Sequence, residues 1–383
     1  MGDKPFVLSG FVDKWPAFGW TPQNLAKAFP DTQFDVRFGS KNCTETQWEH
    51  KSEKRKLTLA ELIESYKGEN VTNSQFADKW AYVDYKYLFD VLPSEHLQDI
   101  DWGVFGISAD CVDSTFWMGS PGAYTPLHYD TYSFNVYTQL HGAKEWLLFP
   151  NDSVNNEVLK PTRVPYEESS VFSSVNLFEM PNSLSKTTPY YVQLAKGDTL
   201  YVPPKWWHFV RCCGDDFSIS CNVWVPLSTD TSVDAQREAL TAAMVSLLAD
   251  SDLFSSDDVI KSRERFEDCA ETLNELLRRQ DTDSGAPSKK RKPNLLDEHD
   301  SVHEKFIEKH RKLGKSVQQI GFDDLKRILK IEPEVSHKAI LDNPTTSKND
   351  HDMQESNVYS KGRLVESLLH PKVIDALLDV LKK

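Results

Sequence analysis

The spacing of apolar residues divides this 383-residue chain into two regions. From about residue 104 to residue 225 the apolar residues form short runs separated by Gly, Pro and Asp, as in "SFNVYTQLHG", "EWLLFP" and "FSISCNVWVP". Runs of this length and spacing predict the strands of a β-barrel or β-sandwich. After Pro226 the apolar residues recur three and four positions apart, as in "VDAQREALTAAMVSLLAD" and "RFEDCAETLNELLRRQ", which predicts amphipathic helices.

The first hundred residues predict a mixture of short elements. "KPFVLSGF" predicts a strand, and "TPQNLAKAF" and "TLAELIESYK" predict helices, the second with Thr58 as its N-cap. All ten tryptophans lie at or before Trp224, so we expect the dense core to end near residue 226.

These patterns predict five segments. An N-terminal α/β portion covers residues 1–103, and the β core covers residues 104–230. A helical extension (231–280), a linker (281–300) and a helical, partly disordered C-terminal tail (301–383) follow. Pro371 predicts the start of a last amphipathic helix. We expect this helical tail to fold back on the barrel, to pair two copies of the chain as a homodimer, or to dock a partner.

Charge and composition narrow the class of protein. A formal net charge of −14 argues against a protein devoted to nucleic acid, which normally carries a broad basic surface. No segment approaches the ~20 apolar residues of a membrane span. Six cysteines without metal-finger spacing predict reduced thiols of a cytoplasmic protein. The basic run Lys289–Lys292 is either a nuclear-import signal or a solvated charge cluster.

One stretch, "GAYTPLHYDTYSFN", carries candidate chemistry. His128 and Asp130 are two residues apart, so on a strand they face the same side about 6–7 Å from each other. His208 follows a Pro-Pro break in "KGDTLYVPPKWWHFV" and is flanked by bulky apolar residues. Two histidines and one carboxylate on one face of a barrel are the ligand set of non-haem Fe(II) oxygenases, which leaves positions open for a co-substrate and O₂.

Simpler interpretations of these residues remain open. The pair His128 and Asp130 is compatible with ordinary polar positions on a strand, and His208 with a neutral core histidine. Zinc is the competing metal, although the sequence shows no obvious base beside a zinc-bound water. Lys144 is either a solvated turn residue or the cation for the distal carboxylate of a 2-oxoacid.

Longer motifs resemble a known family. "FWMGSPGAYTPLHYDTYSFNVYTQLHGAKEWLLFP", "KGDTLYVPPKWWHFV" and "SISCNVWVP" together resemble a JmjC domain. "KPTRVPYEESSVFSSVN" and "RLVESLLHPKVIDALLDVL" resemble the small-heat-shock-protein-associated protein 1 family in particular. The resemblance covers residues 1–230 and about the last twenty. It implies a mainly β fold: a JmjC double-stranded β-helix (cupin-like jelly roll) with N-terminal α/β elements and a helical C-terminal tail.

The resemblance implies Fe(II), 2-oxoglutarate as co-substrate, and O₂. His128, Asp130 and His208 match the iron ligands of the family and would be its catalytic centre. Thr125 and Lys144 match the positions that bind the C5 carboxylate of 2-oxoglutarate.

Further residues match the wall of the co-substrate pocket. Tyr82 matches an upstream tyrosine that reaches the C5 carboxylate, with Tyr85 and Tyr87 as alternatives. Three more matched or neighbouring positions line the pocket: Asn135, Asn222 and Trp224.

The implied activity is that of a 2-oxoglutarate-dependent dioxygenase that releases succinate and CO₂. The chain has no recognisable finger or reader module, so we expect a hydroxylase of a protein or peptide. The first alternative is a lysine or arginine (histone) demethylase that acts by N-methyl hydroxylation. The second is a catalytically weak adaptor that binds a small heat-shock protein, the partner that the family name implies.

Overall fold

The computed structural model describes residues 4–66, 76–107, 114–131, 133–163, 169–225, 227, 233–249, 266–283, 295–329 and 367–382. In chain order, the strands in these ranges are β1 (Phe6–Ser9), β2 (Phe34–Ser40), β3 (Glu53–Leu57), β4 (Lys79–Tyr87), β5 (Thr115–Gly119), β6 (Tyr124–Asp130), β7 (Phe134–His141), β8 (Ala143–Phe149), β9 (Pro161–Thr162), β10 (Ser170–Ser173), β11 (Tyr190–Leu194), β12 (Asp198–Val202), β13 (Trp207–Cys213), β14 (Ser218–Val225), β15 (Lys315–Ser316) and β16 (Gln318–Gln319). The α-helices are α1 (Pro22–Ala28), α2 (Leu59–Glu64), α3 (Leu88–Val91), α4 (Ser153–Leu159), α5 (Val233–Ala249), α6 (Phe266–Asp283), α7 (Leu295–His310), α8 (Phe322–Leu329) and α9 (Pro371–Leu381).

Two antiparallel sheets form the body of the molecule. A nine-stranded sheet has the order β15-β1-β12-β7-β14-β5-β4-β2-β3, and a seven-stranded sheet has the order β16-β11-β8-β13-β6-β10-β9. From β5 to β8, and again from β11 to β14, consecutive strands alternate between the two sheets. This winding produces a double-stranded β-helix, so the fold implied by the resemblance is confirmed.

Strand β7 shows how one strand supplies both core and cavity. Successive side chains point to opposite faces of a sheet. Phe134 and Val136 therefore pack with the N-terminal elements in the main core. Asn135 and Tyr137 face the interior between the two sheets, where Tyr137 packs edge-on against Trp146 of β8. The interior of the β-helix is thus lined by alternate residues of its strands.

The N-terminal helices begin as the sequence predicts. The Thr21 side chain accepts a hydrogen bond from the backbone N–H of Asn24 at the start of α1. Thr58 and Glu61 form a reciprocal capping box at the start of α2. Both helices pack on the larger sheet through apolar residues such as Leu25 and Leu62.

The segment from residue 303 to residue 329 joins the two sheets at one edge. β15 pairs with β1 of the larger sheet, and β16 pairs with β11 of the smaller sheet. Phe306 lies in the main core, and Leu325 in a second core cluster. The core therefore includes residues beyond residue 226, where the sequence predicts its end. A few apolar residues separated by charged ones are enough to anchor this segment.

Helices α5, α6 and α9 form a separate apolar cluster that includes Leu240, Leu273, Ile374 and Leu378. The predicted helix start at Pro371 is confirmed. Helix α6 ends at Asp283 and helix α7 begins at Leu295, so both helices extend into the predicted linker 281–300. Pairing of two copies through these helices stays a prediction.

The basic run 289–292 lies outside the described residues. Within the described ranges, no helix is both long and apolar enough to cross a membrane.

Candidate metal centre and co-substrate cavity

Three side chains of the smaller sheet converge inside the β-helix. His128 on β6 and His208 on β13 are direct cross-strand partners, and their ring centroids lie 4.1 Å apart. Asp130 follows on the same face of β6. The Nε2 atom of His128 lies 3.7 Å from Oδ1 of Asp130, and the Nε2 atom of His208 lies 3.9 Å from Oδ2. One ligand atom from each of these three residues lies within 4.8 Å of the other two, so the group could hold a metal ion.

Backbone carbonyls fix the tautomer of both histidines. Nδ1 of His128 lies 2.8 Å from the carbonyl oxygen of Pro126, and Nδ1 of His208 lies 2.9 Å from that of Trp206. A carbonyl oxygen only accepts, so Nδ1 carries a proton in each ring, and Nε2 is the nitrogen that is left to bind a metal. Burial, followed by the neighbouring His128, lowers the pKa of His208 to about 4. His208 is therefore neutral at pH 7 and ready to bind a metal.

A bulge in β6 helps to place the histidine. Between the partners His208–His128 and Val210–Thr125, β6 uses one residue more than β13. Pro126 lies in this irregular stretch, where its missing N–H costs no regular ladder bond. The carbonyl of Pro126 accepts from His128, so the bulge both tolerates the proline and orients the ring.

The triad fits a divalent first-row metal. Ligand atoms each about 2.1 Å from one ion are at most about 4.2 Å apart, and both nitrogen–carboxylate separations fall within that limit. Trp224 donates its indole N–H to Oδ2 of Asp130 at 2.9 Å, which holds the carboxylate in place. Two imidazoles and one carboxylate suit Fe(II), and zinc remains chemically compatible with three such ligands.

A buried cation lies in the same interior. Lys144 is completely buried on β8, and its Nζ donates to the hydroxyl of Tyr82 at 2.9 Å. Three rings surround the ammonium, with centroids at 5.0 Å (Tyr82), 5.3 Å (Tyr137) and 5.6 Å (Trp117). Burial lowers the pKa of Lys144 to about 8. Among the described residues, no carboxylate lies within ion-pair distance of this ammonium.

Of the three tyrosines predicted as candidate partners of Lys144, Tyr82 lies against it in the structure. Burial raises the pKa of Tyr82, and the nearby Thr125 side chain opposes that rise. The two alternative tyrosines lie elsewhere. Tyr85 has φ of 50° at an irregularity in β4, and its ring lies 5.5 Å from that of Trp224. Tyr87 stacks on Phe89. Tyr82 is therefore the tyrosine that meets the lysine.

Two asparagines of the predicted pocket wall are hydrogen-bonded to each other. Nδ2 of Asn222 donates to Oδ1 of Asn135 at 3.1 Å. Oδ1 of Asn222 accepts from the indole N–H of Trp117 at 2.8 Å. Both asparagines are buried in the larger sheet. The structure thus places both asparagines on the cavity face of the larger sheet, in one hydrogen-bonded chain with Trp117.

A charged network beside the cavity was not predicted. Arg37 on β2 is buried and donates to Asp84 at 2.6 Å and to the carbonyl of Tyr124 at 2.9 Å. Glu49 lies 3.8 Å from the same guanidinium, and its side chain is 21% exposed. Burial raises the pKa of Glu49, while Arg37 opposes the shift, and the carboxyl also interacts with His128. This network lies beside Tyr82, whose ring centroid is 5.5 Å from the guanidinium of Arg37.

Strand alternation would have identified some of the missed residues. Tyr137 shares a face of β7 with Asn135, and Trp146 shares a face of β8 with Lys144. Trp146 stacks on His208 with ring centroids 5.6 Å apart. No comparable signal links Arg37 to its partners, because they are distant in the sequence.

The region that contains the triad is similar to known proteins. A family model described as a cupin-like domain matches residues 1–231. Over 259 residues the chain is 36% identical to HSPB1-associated protein 1 of Bos taurus, covering 64% of this chain and 52% of the relative. It is 27% identical over 229 residues to Lysine-specific demethylase 8 of Xenopus tropicalis, covering 57% and 47%. It is 25% identical over 226 residues to Jumonji C domain-containing protein 5 of Drosophila melanogaster, covering 57% and 54%.

The chain spans about half the length of these curated relatives. The family model covers well over half of the chain, including every residue of the triad. It also includes Lys144 and the three rings around its ammonium, those of Tyr82, Trp117 and Tyr137, which we call the lysine pocket. The resemblance drawn from the motifs is thereby confirmed, and the chain belongs to the family of cupin-like JmjC domains.

Proposed function

We propose that this protein is an Fe(II)- and 2-oxoglutarate-dependent oxygenase that hydroxylates a protein or peptide. One observation carries the proposal: a candidate metal triad and a fully buried lysine, which has no carboxylate partner among the described residues, line the same interior. The triad needs a cation, and the lysine needs an anion. A metal-bound dicarboxylate satisfies both at once.

The energetics of Lys144 favour an anionic ligand. Removing an ammonium from water costs several kcal/mol unless a charge or strong hydrogen bonds compensate. One hydroxyl and three ring faces compensate only part of this cost. A carboxylate that enters the pocket gains a charge-assisted hydrogen bond in a low-dielectric environment. Lys144, Tyr82 and Thr125 therefore form a suitable receptor for the distal carboxylate of a 2-oxoacid.

The triad would hold the metal and leave positions of its coordination sphere open. Bound Fe(II) with 2-oxoglutarate and O₂ would supply the oxidising chemistry, in which R–H, O₂ and 2-oxoglutarate become R–OH, succinate and CO₂. His128 and His208 would contribute neutral nitrogen ligands, and Asp130 one negative charge. Trp224 would keep the Asp130 carboxylate oriented, and the surrounding aromatic rings would limit the access of water to the interior.

Demethylation is the second candidate because a relative is named Lysine-specific demethylase 8. The same hydroxylation, directed at an N-methyl carbon, gives a product that releases formaldehyde. Formaldehyde and the mass of the product separate the two outcomes. A hydroxylated residue gains one oxygen, whereas a demethylated one loses a CH₂ unit.

A small heat-shock protein is the proposed partner, since one relative is named HSPB1-associated protein 1. Size-exclusion chromatography of the purified chain with a purified small heat-shock protein tests this association. Co-elution that survives in a metal-free, catalytically dead variant would favour the adaptor role. Failure of the two proteins to co-elute at micromolar concentrations would remove this partner.

The enzyme proposal is tested by turnover of 2-oxoglutarate. Purified protein is loaded with Fe(II), supplied with O₂ and a peptide library, and assayed for succinate. We expect succinate formation in the wild type and none in His208→Ala. The control is His141→Ala, which alters a histidine at the far end of β7 that pairs with Asp216.

The outcomes separate the proposals. Equal turnover in His208→Ala and His141→Ala would contradict the assigned metal centre. Metal binding without any 2-oxoglutarate binding would contradict the oxygenase proposal and favour the adaptor.

A further inference from the structure

A chain of directed hydrogen bonds crosses three neighbouring strands on the cavity face of the larger sheet. Trp117 on β5 donates to Asn222 on β14, and Asn222 donates to Asn135 on β7. Asn222 is completely buried and Asn135 nearly so. We call Trp117, Asn222 and Asn135 the amide relay.

The indole sets the direction of the whole relay. Reversing a side-chain amide exchanges its oxygen with its nitrogen, so an isolated asparagine can present either group. An indole N–H only donates, so the Asn222 atom that faces Trp117 must be the oxygen. The Asn222 nitrogen then faces Asn135 and must meet its oxygen. The amide nitrogen of Asn135 is thereby left with its N–H groups available, and it has no partner among the described residues.

The relay ends beside the metal triad. Asn135 is the cross-strand partner of Trp224, whose indole bonds Asp130. Trp117, at the other end of the relay, lies 5.6 Å from the ammonium of Lys144. The relay therefore connects the surroundings of the lysine with the surroundings of the metal.

We propose that Trp117 is a positioning residue that fixes the amide of Asn135 as a hydrogen-bond donor for a 2-oxoacid bound in this interior. This inference rests on the proposed function. A donor in that place gains a charge-assisted hydrogen bond to an anion. The reversed amide would present its oxygen to the carboxylate and leave both acceptors unpaired. Trp117 thus contributes to anion binding without touching the anion.

The test is Trp117→Phe, which removes the N–H and keeps a ring beside Lys144. Isothermal titration of 2-oxoglutarate into Mn(II)-loaded protein measures affinity without turnover. We expect about a tenfold weaker Kd for 2-oxoglutarate, since one hydrogen bond to a charged group becomes unreliable. The Kd for Mn(II) itself stays unchanged, because the triad and Trp224 are intact.

The matched control is Trp15→Phe. Trp15 is a buried indole of the main core whose N–H has no hydrogen-bond partner among the described residues. This variant loses similar ring volume and no relay bond, so its 2-oxoglutarate affinity should equal that of the wild type. Thermal unfolding of both variants verifies that they fold.

A double-mutant cycle separates positioning from general packing. In an Asn135→Ala background, Trp117→Phe should have no further effect on 2-oxoglutarate affinity, because it acts only through Asn135. If the two losses simply add, the role is structural and the proposal is wrong. Asn222→Leu, which breaks the relay in its middle, gives a second variant with the same expected non-additivity should Trp117→Phe fail to fold.

The relay and the proposed function fail in different ways. A wild-type protein that binds Mn(II) and shows no 2-oxoglutarate binding overturns the proposed function. A wild type that binds 2-oxoglutarate, together with a Trp117→Phe variant that binds it equally well, overturns the relay alone.

Discussion

The metal triad and the lysine pocket line one interior, and they favour ligands of opposite charge. At the triad, two imidazoles and a carboxylate converge, with nitrogen–oxygen separations of 3.7 Å and 3.9 Å. At the lysine pocket, an ammonium faces a hydroxyl and three aromatic rings. Burial disfavours the protonated forms of His208 and Lys144. It lowers the pKa of His208 to about 4 and that of Lys144 to about 8.

The consequence differs because the useful form differs. A histidine binds a metal when it is neutral, so burial prepares His208 for its role. A lysine binds a carboxylate when it is charged. Burial of the charged Lys144 therefore destabilises the ligand-free protein, and a bound anion would offset this cost. The triad is ready for its ligand, whereas the lysine pocket depends on its ligand for compensation.

The largest expected effect is at the triad. Asp130→Ala should abolish metal binding, because it removes the sole negative ligand and leaves the indole N–H of Trp224 without its acceptor. The loss should exceed the roughly 10–100-fold that a supporting residue costs. Competition with a fluorescent chelator measures it, with exposed Asp35→Ala as the control. Retained affinity in Asp130→Ala would move the metal centre elsewhere.

The next effect is at the lysine pocket. Lys144→Met should weaken 2-oxoglutarate binding by about 2–5 kcal/mol, or roughly 30- to 5,000-fold, as expected for loss of one partner of a buried charge pair. The ligand-free variant should be as stable as the wild type or more stable, because a lone buried cation is replaced by an apolar chain. Calorimetry and thermal unfolding measure the two effects. Exposed Lys196→Met should change neither, and a strongly destabilised Lys144→Met would contradict the comparison.

A smaller effect is expected when the support of a metal ligand is removed. Trp224→Phe deletes the hydrogen bond to Asp130 and should cost about 10–100-fold in metal affinity. Trp20→Phe is a close control, because the Trp20 indole also donates to an aspartate, Asp99, outside the site. Equal metal affinity in the two variants would show that the Asp130 carboxylate needs no such support.

The smallest effect is on pH dependence. Since burial lowers the pKa of Lys144 to about 8, the ligand-free protein loses this charge as pH rises through about 8. The anion needs the charged form, so 2-oxoglutarate affinity should be constant below about pH 8 and fall by up to tenfold per pH unit above it. Calorimetry across this range measures the profile. Lys144→Met should lack the inflection, and an inflection that persists would assign it to another group.

Much of the fold and of the site could be predicted from the sequence. Alternation in runs such as "SFNVYTQLHG" indicates strands, and Thr58 indicates a helix start; both follow from local rules that hold in the structure. The spacing of His128 and Asp130 places them on one face of β6 for the same reason. His208 and Lys144 follow from their own surroundings in the sequence and from the resemblance to JmjC domains, since no local rule connects them to the pair.

The sequence by itself determined the strand and helix pattern and the three side chains of the candidate metal centre, because these depend on neighbours along the chain or on recognisable motifs. Only the tertiary structure decided which tyrosine meets Lys144, which way the amides of Asn135 and Asn222 face, and that Arg37 and Phe306 are buried. The burial of Phe306 depends on the packing of helix α7 against the main core. The other features depend on register between strands far apart in the chain, where a shift of one residue reverses every side chain.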